Sequence, residues 1–343
     1  MKLRHPQSGA LYVLQDDGLV RVEQGDAVGW FRSDGSYVSG DLRCADPHFA
    51  SWVGGPSLLP RAQPQPARSV GVPALAGPRV QATDPTRRNP DMDLGLSGRK
   101  VIVTGASRGI GFAIARAFAE QGAAVAICAR AAGALESARK ELEAQGVPVF
   151  ARSVDVANRE ALEGFVGEAA SALGGLDVFV ANASAGGGMG EAAWQANFDI
   201  DVLSAARGVQ AALPHLTKSD AASVVFISST AALEYLGVPQ PYNAMKAALI
   251  AHAHDLAQAL ARQGVRVNSV SPGPIYFEGG NWQRIEQTMP AIYKMALAQC
   301  AIGRMGTPDE VARVVVFLAS PAASLVTGAN VVVDGGFTRR VDY

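Results

Sequence analysis

The sequence predicts an α/β protein: a doubly wound parallel sheet with helices on both faces, preceded by a small antiparallel β meander. Three observations predict it. From residue 98 onward, short apolar runs alternate with longer amphipathic stretches. The runs VIVTG, DVFVAN, SVVFISS and VRVNSVS are apolar along most of their length rather than at every second position, the pattern of strands covered on both faces of a parallel sheet. Ahead of residue 59, in contrast, the β-branched or aromatic runs LYVLQ, LVRVEQ, VGWFRS and YVSG are separated by DDG, GDA and SDG, the chemistry of tight hairpin turns.

Taken in order, residues 1–58 form the meander. A segment this short is marginal on its own, so it is expected to pack on the larger domain or on a neighbouring subunit. His48 and Trp52, in DPHFASWVGG, read as packing residues. Residues 59–93 contain seven prolines without apolar periodicity and read as an extended linker. Residues 94–343 then run KVIVTG, FAIARAFAEQG, AAVAICAR, ALESARKELEAQG and VFARSVDV, strand alternating with helix. Parallel strands need right-handed helical crossovers, and ligands of such sheets bind beyond the carboxyl ends of the strands.

Composition narrows the function. Of 343 residues, 48% are hydrophobic and 18% charged, a globular balance, and no uninterrupted apolar run is long enough to span a membrane. Thirty basic residues oppose thirty-one acidic ones, and no basic stripe with aromatics stands out, so no nucleic-acid partner is expected. The start, MKLRHPQSGALYVLQDDG, meets an aspartate pair before an apolar leader develops, which points to a cytoplasmic address. Cys44, Cys128 and Cys300 are scattered and odd in number, fitting neither a disulfide framework nor a metal site. The expected partner is a small molecule.

TGASRGIG, residues 104–111, lies between the first strand of the larger domain and its first helix. Gly105, Gly109 and Gly111 let the backbone turn tightly against a pyrophosphate, which the helix N-terminus attracts. An NAD(H) site would normally end its second strand with a carboxylate for the ribose hydroxyls, whereas this strand ends Ala129-Arg130. Arg130, with Arg108 in the turn, therefore favours NADP(H), since guanidinium groups match phosphate geometry.

YNAMK, residues 242–246, adds the chemistry. Seven tyrosines and six lysines in this length yield about 0.1 chance YxxxK matches, so the motif gains weight only from its company. That company is TGASRGIG, SVDV, NAS, VVFISST, VNSVSPGPI and TGANVVVDGG in order. Across residues 98–340 the set resembles the short-chain dehydrogenases/reductases, with their Rossmann-type fold, and within them the 3-oxoacyl reductases. On a helix, residues four apart share a face, so Lys246 stabilises the phenolate of Tyr242 and makes the phenol a usable proton donor. Tyr242 then protonates a carbonyl oxygen as hydride reaches the carbon, or acts as base in the reverse direction, while Ser229 hydrogen-bonds the same oxygen.

The resemblance also implies cofactor contacts. The turn residues Gly105, Ser107, Arg108, Gly109, Ile110 and Gly111 hold the dinucleotide, with Asp155 and Val156 at the adenine and Asn182 near the adenosine ribose. Tyr242 and Lys246 meet the nicotinamide ribose, and Pro272, Gly273 and Ile275 the carboxamide side. The activity implied is NADPH-dependent reduction of a ketone or 3-oxoacyl substrate by a homodimer or homotetramer. Alcohol oxidation by the same residues, or a weakly catalytic nucleotide-binding scaffold, are the alternatives. The enoyl-reducing branch places its lysine seven residues after the tyrosine, where this chain has Leu249.

The chain departs from the family pattern at Asp201, in FDIDV, where relatives carry an asparagine supporting a relay water. The expectation is that Asp201 holds that water, with Asn197 one turn earlier on the same face. Ala181, Ser184 and Phe277 are further departures. The segment YFEGGNWQRIEQTMPAIYKMALAQC is expected to form a mobile lid hinged at Gly279 and Gly280, its Tyr276, Phe277, Trp282, Met289, Tyr293 and Met295 suiting an apolar carbonyl substrate or ordinary packing.

Overall fold

The computed structural model describes residues 2–4, 8–32, 36–43, 93–235 and 237–341. The chain divides into two compact units, Met1–Asp84 and Pro85–Tyr343. The proline-rich stretch 59–92, together with Cys44, His48 and Trp52, lies outside the described residues.

The first unit is an antiparallel sheet of five strands in sequential order: β1 (Lys2–Arg4), β2 (Leu11–Leu14), β3 (Val20–Gln24), β4 (Ala27–Phe31) and β5 (Tyr37–Gly40). Alternation decides its faces. Val20 and Val22 are buried with Ala10, Tyr12 and Phe31, and the register pairs Tyr12 with Val22 and Val20 with Phe31 across neighbouring strands. Arg21, on the other face, lies opposite Trp30 with its guanidinium 5.9 Å from the ring centre. The hairpins turn at Gly18 and Gly25, whose φ angles of 83° and 61° are costly for a residue with a Cβ. Four of the strands coincide with the four β-type runs of the sequence. The fifth, Lys2–Arg4, has a single apolar residue and too little pattern to be read in advance.

The second unit is built on seven parallel strands in the order β8-β7-β6-β9-β10-β11-β12, namely Val149–Ser153, Ala124–Ala129, Lys100–Thr104, Val178–Ala181, Ser223–Ile227, Arg266–Pro272 and Asn330–Val333. Successive side chains of each strand enter opposite cores. Val101, Val103, Val178, Val180 and Val225 pack on one side, while Ile102, Phe179, Val224 and Phe226 pack on the other. The first layer is closed by α1 (Gly109–Glu120), α2 (Ala132–Glu143) and α9 (Pro308–Ala319). The second contains α3 (Arg159–Leu173), α5 (Ser204–Leu216) and α6 (Pro241–Leu260). This is the doubly wound Rossmann-type architecture that the strand pattern predicts.

Local chemistry sets the helix limits. Asn158 caps α3 by accepting the Ala161 N–H at 2.8 Å, and Gly174, with φ 74°, ends that helix in a left-handed turn. At the start of α9, Thr307 and Glu310 form a reciprocal capping box. Its C-terminal carbonyls have no helical partners, and Arg266 satisfies three of them, Leu318, Ala319 and Ser320, at 2.6, 3.0 and 3.0 Å.

Two features position the site. The chain order reverses at β6 and β9, opening a crevice at their carboxyl ends. Between α4 (Glu191–Asn197) and α5, residues Phe198–Leu203 form a π-helical turn. A wider turn of this kind displaces side chains from ordinary helical register, and it carries Asp201.

Candidate active site

The crevice is organised by the turn after β6. Gly105 and Gly109 take positive φ, 66° and 59°. A Cβ at Gly105 would come within 2.9 Å of the Ala183 backbone, and one at Gly111 would collide with the Asn182 side chain. The Asn182 amide donates to the carbonyls of Thr104 and Gly105 at 2.9 and 3.0 Å. In turn, Thr104 Oγ1 accepts the backbone N–H groups of Asn182 and Ala183 at 3.0 and 3.2 Å. The end of β9 is thereby laced to the glycine turn. Thr104 is a site-organising residue that the motif contained but that sequence reasoning passed over, because its partner strand is distant in the chain.

The turn fits a dinucleotide phosphate. Helix α1 begins at Gly109 with no side-chain cap and no acidic residue in its first turn, so its first N–H groups and positive dipole end stay available to an anion. Ser107 and Ile110 are half-buried in the same turn. Arg130 follows β7 and is exposed, its carbonyl held by Ser153 Oγ at 3.0 Å. Asp155, just beyond β8, accepts the Ala157 N–H at 3.1 Å, and Val156 is buried in the second core layer. Arg108, expected to help meet the 2′-phosphate, donates its guanidinium to the Gly279 carbonyl at 3.0 Å.

Phe277 reaches the same turn, its ring carbons 2.5 to 3.2 Å from where a Cβ on Gly109 would stand. Pro272 closes β11, where its carbonyl accepts from Thr230 Oγ1 at 3.3 Å, and Gly273 N–H is held by Val333 at 3.0 Å. Ile275, buried, bridges to Gly306.

The residues expected to act as acid and base converge from three elements. Tyr242 and Lys246 share one face of α6, with the Lys246 ammonium 5.6 Å from the phenol ring centre. Lys246 is buried and donates to the Ile227 carbonyl, at the end of β10, at 2.9 Å. Ser228 Oγ donates to the Lys246 carbonyl at 2.8 Å, tying α6 to that strand end. Ser229 caps the short turn Thr230–Ala232, its Oγ accepting the Ala231 N–H at 3.1 Å, which leaves the hydroxyl proton to donate outward.

Asp201, the residue expected to hold a relay water, stands directly beside Lys246. Its Oδ1 lies 3.0 Å from Lys246 Nζ as a direct ion pair, off the hydrogen-bond axis, and its Oδ2 accepts the Ala185 N–H at 2.9 Å. Asn197 is buried, its amide donating to the Ala193 carbonyl of its own helix at 2.9 Å.

The segment expected to form a lid contains two helices, α7 (Asn281–Thr288) and α8 (Pro290–Gln299). Tyr276, Trp282 and Tyr293 pack with Ala296, Cys300, Met305 and Phe337, and Tyr276 OH donates to Glu286 at 2.6 Å. With Phe277, which packs against the first core layer, four of the six apolar residues thus serve packing. Met289 and Met295 remain 40% and 59% exposed.

A doubly wound sheet with a glycine turn at its switch point, and a tyrosine and lysine on one helix face at the same end, defines a dinucleotide-dependent oxidoreductase. The family described as Enoyl-(Acyl carrier protein) reductase matches residues 105–338. Isoepoxydon dehydrogenase patN of Aspergillus clavatus is 40% identical over 246 residues, 70% of this chain and 95% of that protein. Dehydrogenase/reductase SDR family member 4 of Oryctolagus cuniculus is 36% identical, covering 75% of this chain and 98% of its own length. L-Sorbose reductase of Gluconobacter frateurii, crystallised with NADPH and L-sorbose, superposes with a TM-score of 0.67 at 31% identity, over 73% of this chain and 100% of that one. The chain belongs to the short-chain dehydrogenase/reductase family and is an oxidoreductase acting on CH–OH or C=O groups.

Proposed function

We propose that the protein reduces a ketone or 3-oxoacyl substrate with NADPH, Tyr242 giving the proton. The observation that carries this reading is the shared helix face of Tyr242 and Lys246, with the ammonium 5.6 Å from the ring. Residues 105 and 107–111 would hold the pyrophosphate, Arg130 the 2′-phosphate, Asp155 and Val156 the adenine, Asn182 the adenosine ribose, Lys246 the nicotinamide ribose, and Pro272, Gly273 and Ile275 the carboxamide side. When bound, the reduced nicotinamide supplies hydride to the carbonyl carbon. Tyr242 transfers its proton to the carbonyl oxygen as negative charge gathers there, and Ser229 donates a hydrogen bond to the same atom.

Preference for NADPH rests on Arg130 standing where an NAD site would carry a carboxylate. The Tyr242–Lys246 spacing, with Leu249 three residues further on, favours carbonyl over enoyl reduction despite the description of the matching family. Alcohol oxidation uses the same residues in reverse and is the second reading.

The test is oxidation of NADPH and of NADH by the full-length protein across a panel of 3-oxoacyl thioesters and cyclic ketones. Turnover is expected with NADPH above NADH, and Tyr242→Phe should lower it by about 10²- to 10⁴-fold, the range for removing a general acid. Turnover undiminished in Tyr242→Phe would overturn the assignment, and no turnover on any substrate would favour the scaffold alternative.

A further inference from the structure

Lys246 is not a lone cation. The Asp201 carboxylate stands 3.0 Å from its ammonium, and the two side chains are 0% and 3% exposed respectively. Each charge has one further anchor, Ile227 O for Nζ at 2.9 Å and Ala185 N–H for Oδ2 at 2.9 Å. So enclosed, the ammonium and the carboxylate are each other's nearest opposite charge.

This changes what Tyr242 senses. An ammonium near a phenol favours loss of the phenol's proton by attracting the phenolate, and a carboxylate beside that ammonium opposes the effect. Seen from the phenol, a close pair is a dipole, whose influence fades faster with distance than that of a single charge. We propose that Asp201 is a positioning residue that fixes Lys246 and offsets its charge, so that Tyr242 holds its proton more firmly and the site is biased toward carbonyl reduction over alcohol oxidation. The inference rests on the reading of Tyr242 as proton donor and adds a direction to it.

The other charged groups around α6 are spent or remote. Asp199, on the same π-helical turn, is half-buried and committed to Gln195, whose amide it accepts at 2.8 Å, and Glu191 on α4 is exposed. β10 and the Thr230–Ala232 turn carry no charge. Arg266 begins β11, at the far end from the site, and is committed to backbone carbonyls, while Arg262 is exposed after α6. Glu234 accepts the N–H groups of Arg339 and Arg340 at 2.8 and 2.6 Å. On α6 itself His252 lies against Phe226, and His254 and Asp255 are exposed further along the helix. Among the described residues on these elements, Asp201 and Lys246 are the buried charges.

The experiment is an ultraviolet titration of the phenolate in the full-length protein, with the Tyr242 signal isolated by subtracting the matching Tyr242→Phe variant. Asp201→Asn keeps shape and removes one charge, so the Tyr242 phenolate should form about one pH unit lower than in the unsubstituted protein, a tenfold change in proton affinity. In Asp201→Asn/Lys246→Met both charges go and a buried neutral pair remains, so the titration should stay within about half a unit of the original. Coincident curves for the unsubstituted protein and Asp201→Asn overturn the proposal. So does a rise of a full unit in the double variant, which would mean that the lysine charge acts unopposed. Should Asp201→Asn not fold, the double variant decides. Failure of the proton-donor reading shows separately, as NADPH turnover that survives Tyr242→Phe.

Discussion

Gly109 concentrates three demands on one residue. It needs a φ of 59°, it begins α1 where N–H groups point outward, and the space a Cβ would take is filled by the ring of Phe277 at 2.5 Å. Gly109→Ala therefore meets strain and collision together. The expected result is loss of NADPH binding by at least about tenfold in a fluorescence titration, with the remainder of the fold intact, since left-handed strain alone costs about 1–2 kcal/mol. Affinity equal to that of the unsubstituted protein would show that the turn is not the phosphate site. Phe277 also explains why this glycine cannot be judged from its motif alone: the neighbour that fills its missing side chain is far away in the chain.

At the scale of an element, α9 shows how local chemistry couples to pH. Glu310 accepts two bonds from the Arg304 guanidinium, at 2.8 and 2.6 Å, and one from the Thr307 N–H at 2.9 Å. Arg304 first, and then the Thr307 backbone, hold its carboxyl down from 4.5 to about 2. A carboxylate whose folded value lies below its unfolded one stabilises the fold above the unfolded value and loses that contribution as pH falls through the folded one. The melting-temperature gap between the unsubstituted protein and Glu310→Gln should therefore be steady near neutrality and close between about pH 4.5 and pH 2. A gap unchanged across that window would show that the contribution does not come from the ionised carboxylate. The lid teaches the converse lesson. Its aromatic residues read equally as substrate contacts or as packing, and folding into α7 and α8 commits Tyr276, Trp282 and Tyr293 to a small core of their own.

Over the whole molecule, relatives match about seven-tenths of this chain while being nearly covered themselves, so the five-stranded unit is additional to what they share. The second unit contains both core layers, the glycine turn and the candidate acid–base residues. A chain starting at residue 93 is expected to fold and to keep NADPH turnover within about threefold of the full-length rate, since the second unit contains both core layers and the candidate site. A loss of a hundredfold or more, measured on the same substrate, would make the meander part of the working site.

Much of this was legible in the residues. The uniform apolar strands announce a sheet covered on both faces, the turns DDG and GDA announce hairpins, and the ordered motifs from TGASRGIG to YNAMK announce the family. The signals that succeeded are short in sequence range, because helix and strand periodicity and turn chemistry act over a few residues. Where Asp201 points, what fills the space beside Gly109, and which carbonyl Arg108 finds were not legible. The first depends on a π-helical turn, the others on the segment around residues 277–279, and all three are settled by packing between parts of the chain that meet only when the sheet is complete. The sequence by itself determined the fold class and the family, since those follow from local pattern and ordered motifs. Tertiary structure alone decided that the lysine meets its neighbour as half of a buried ion pair, because the balance of charge in a low-dielectric interior depends on distances of a few ångströms between residues 45 positions apart.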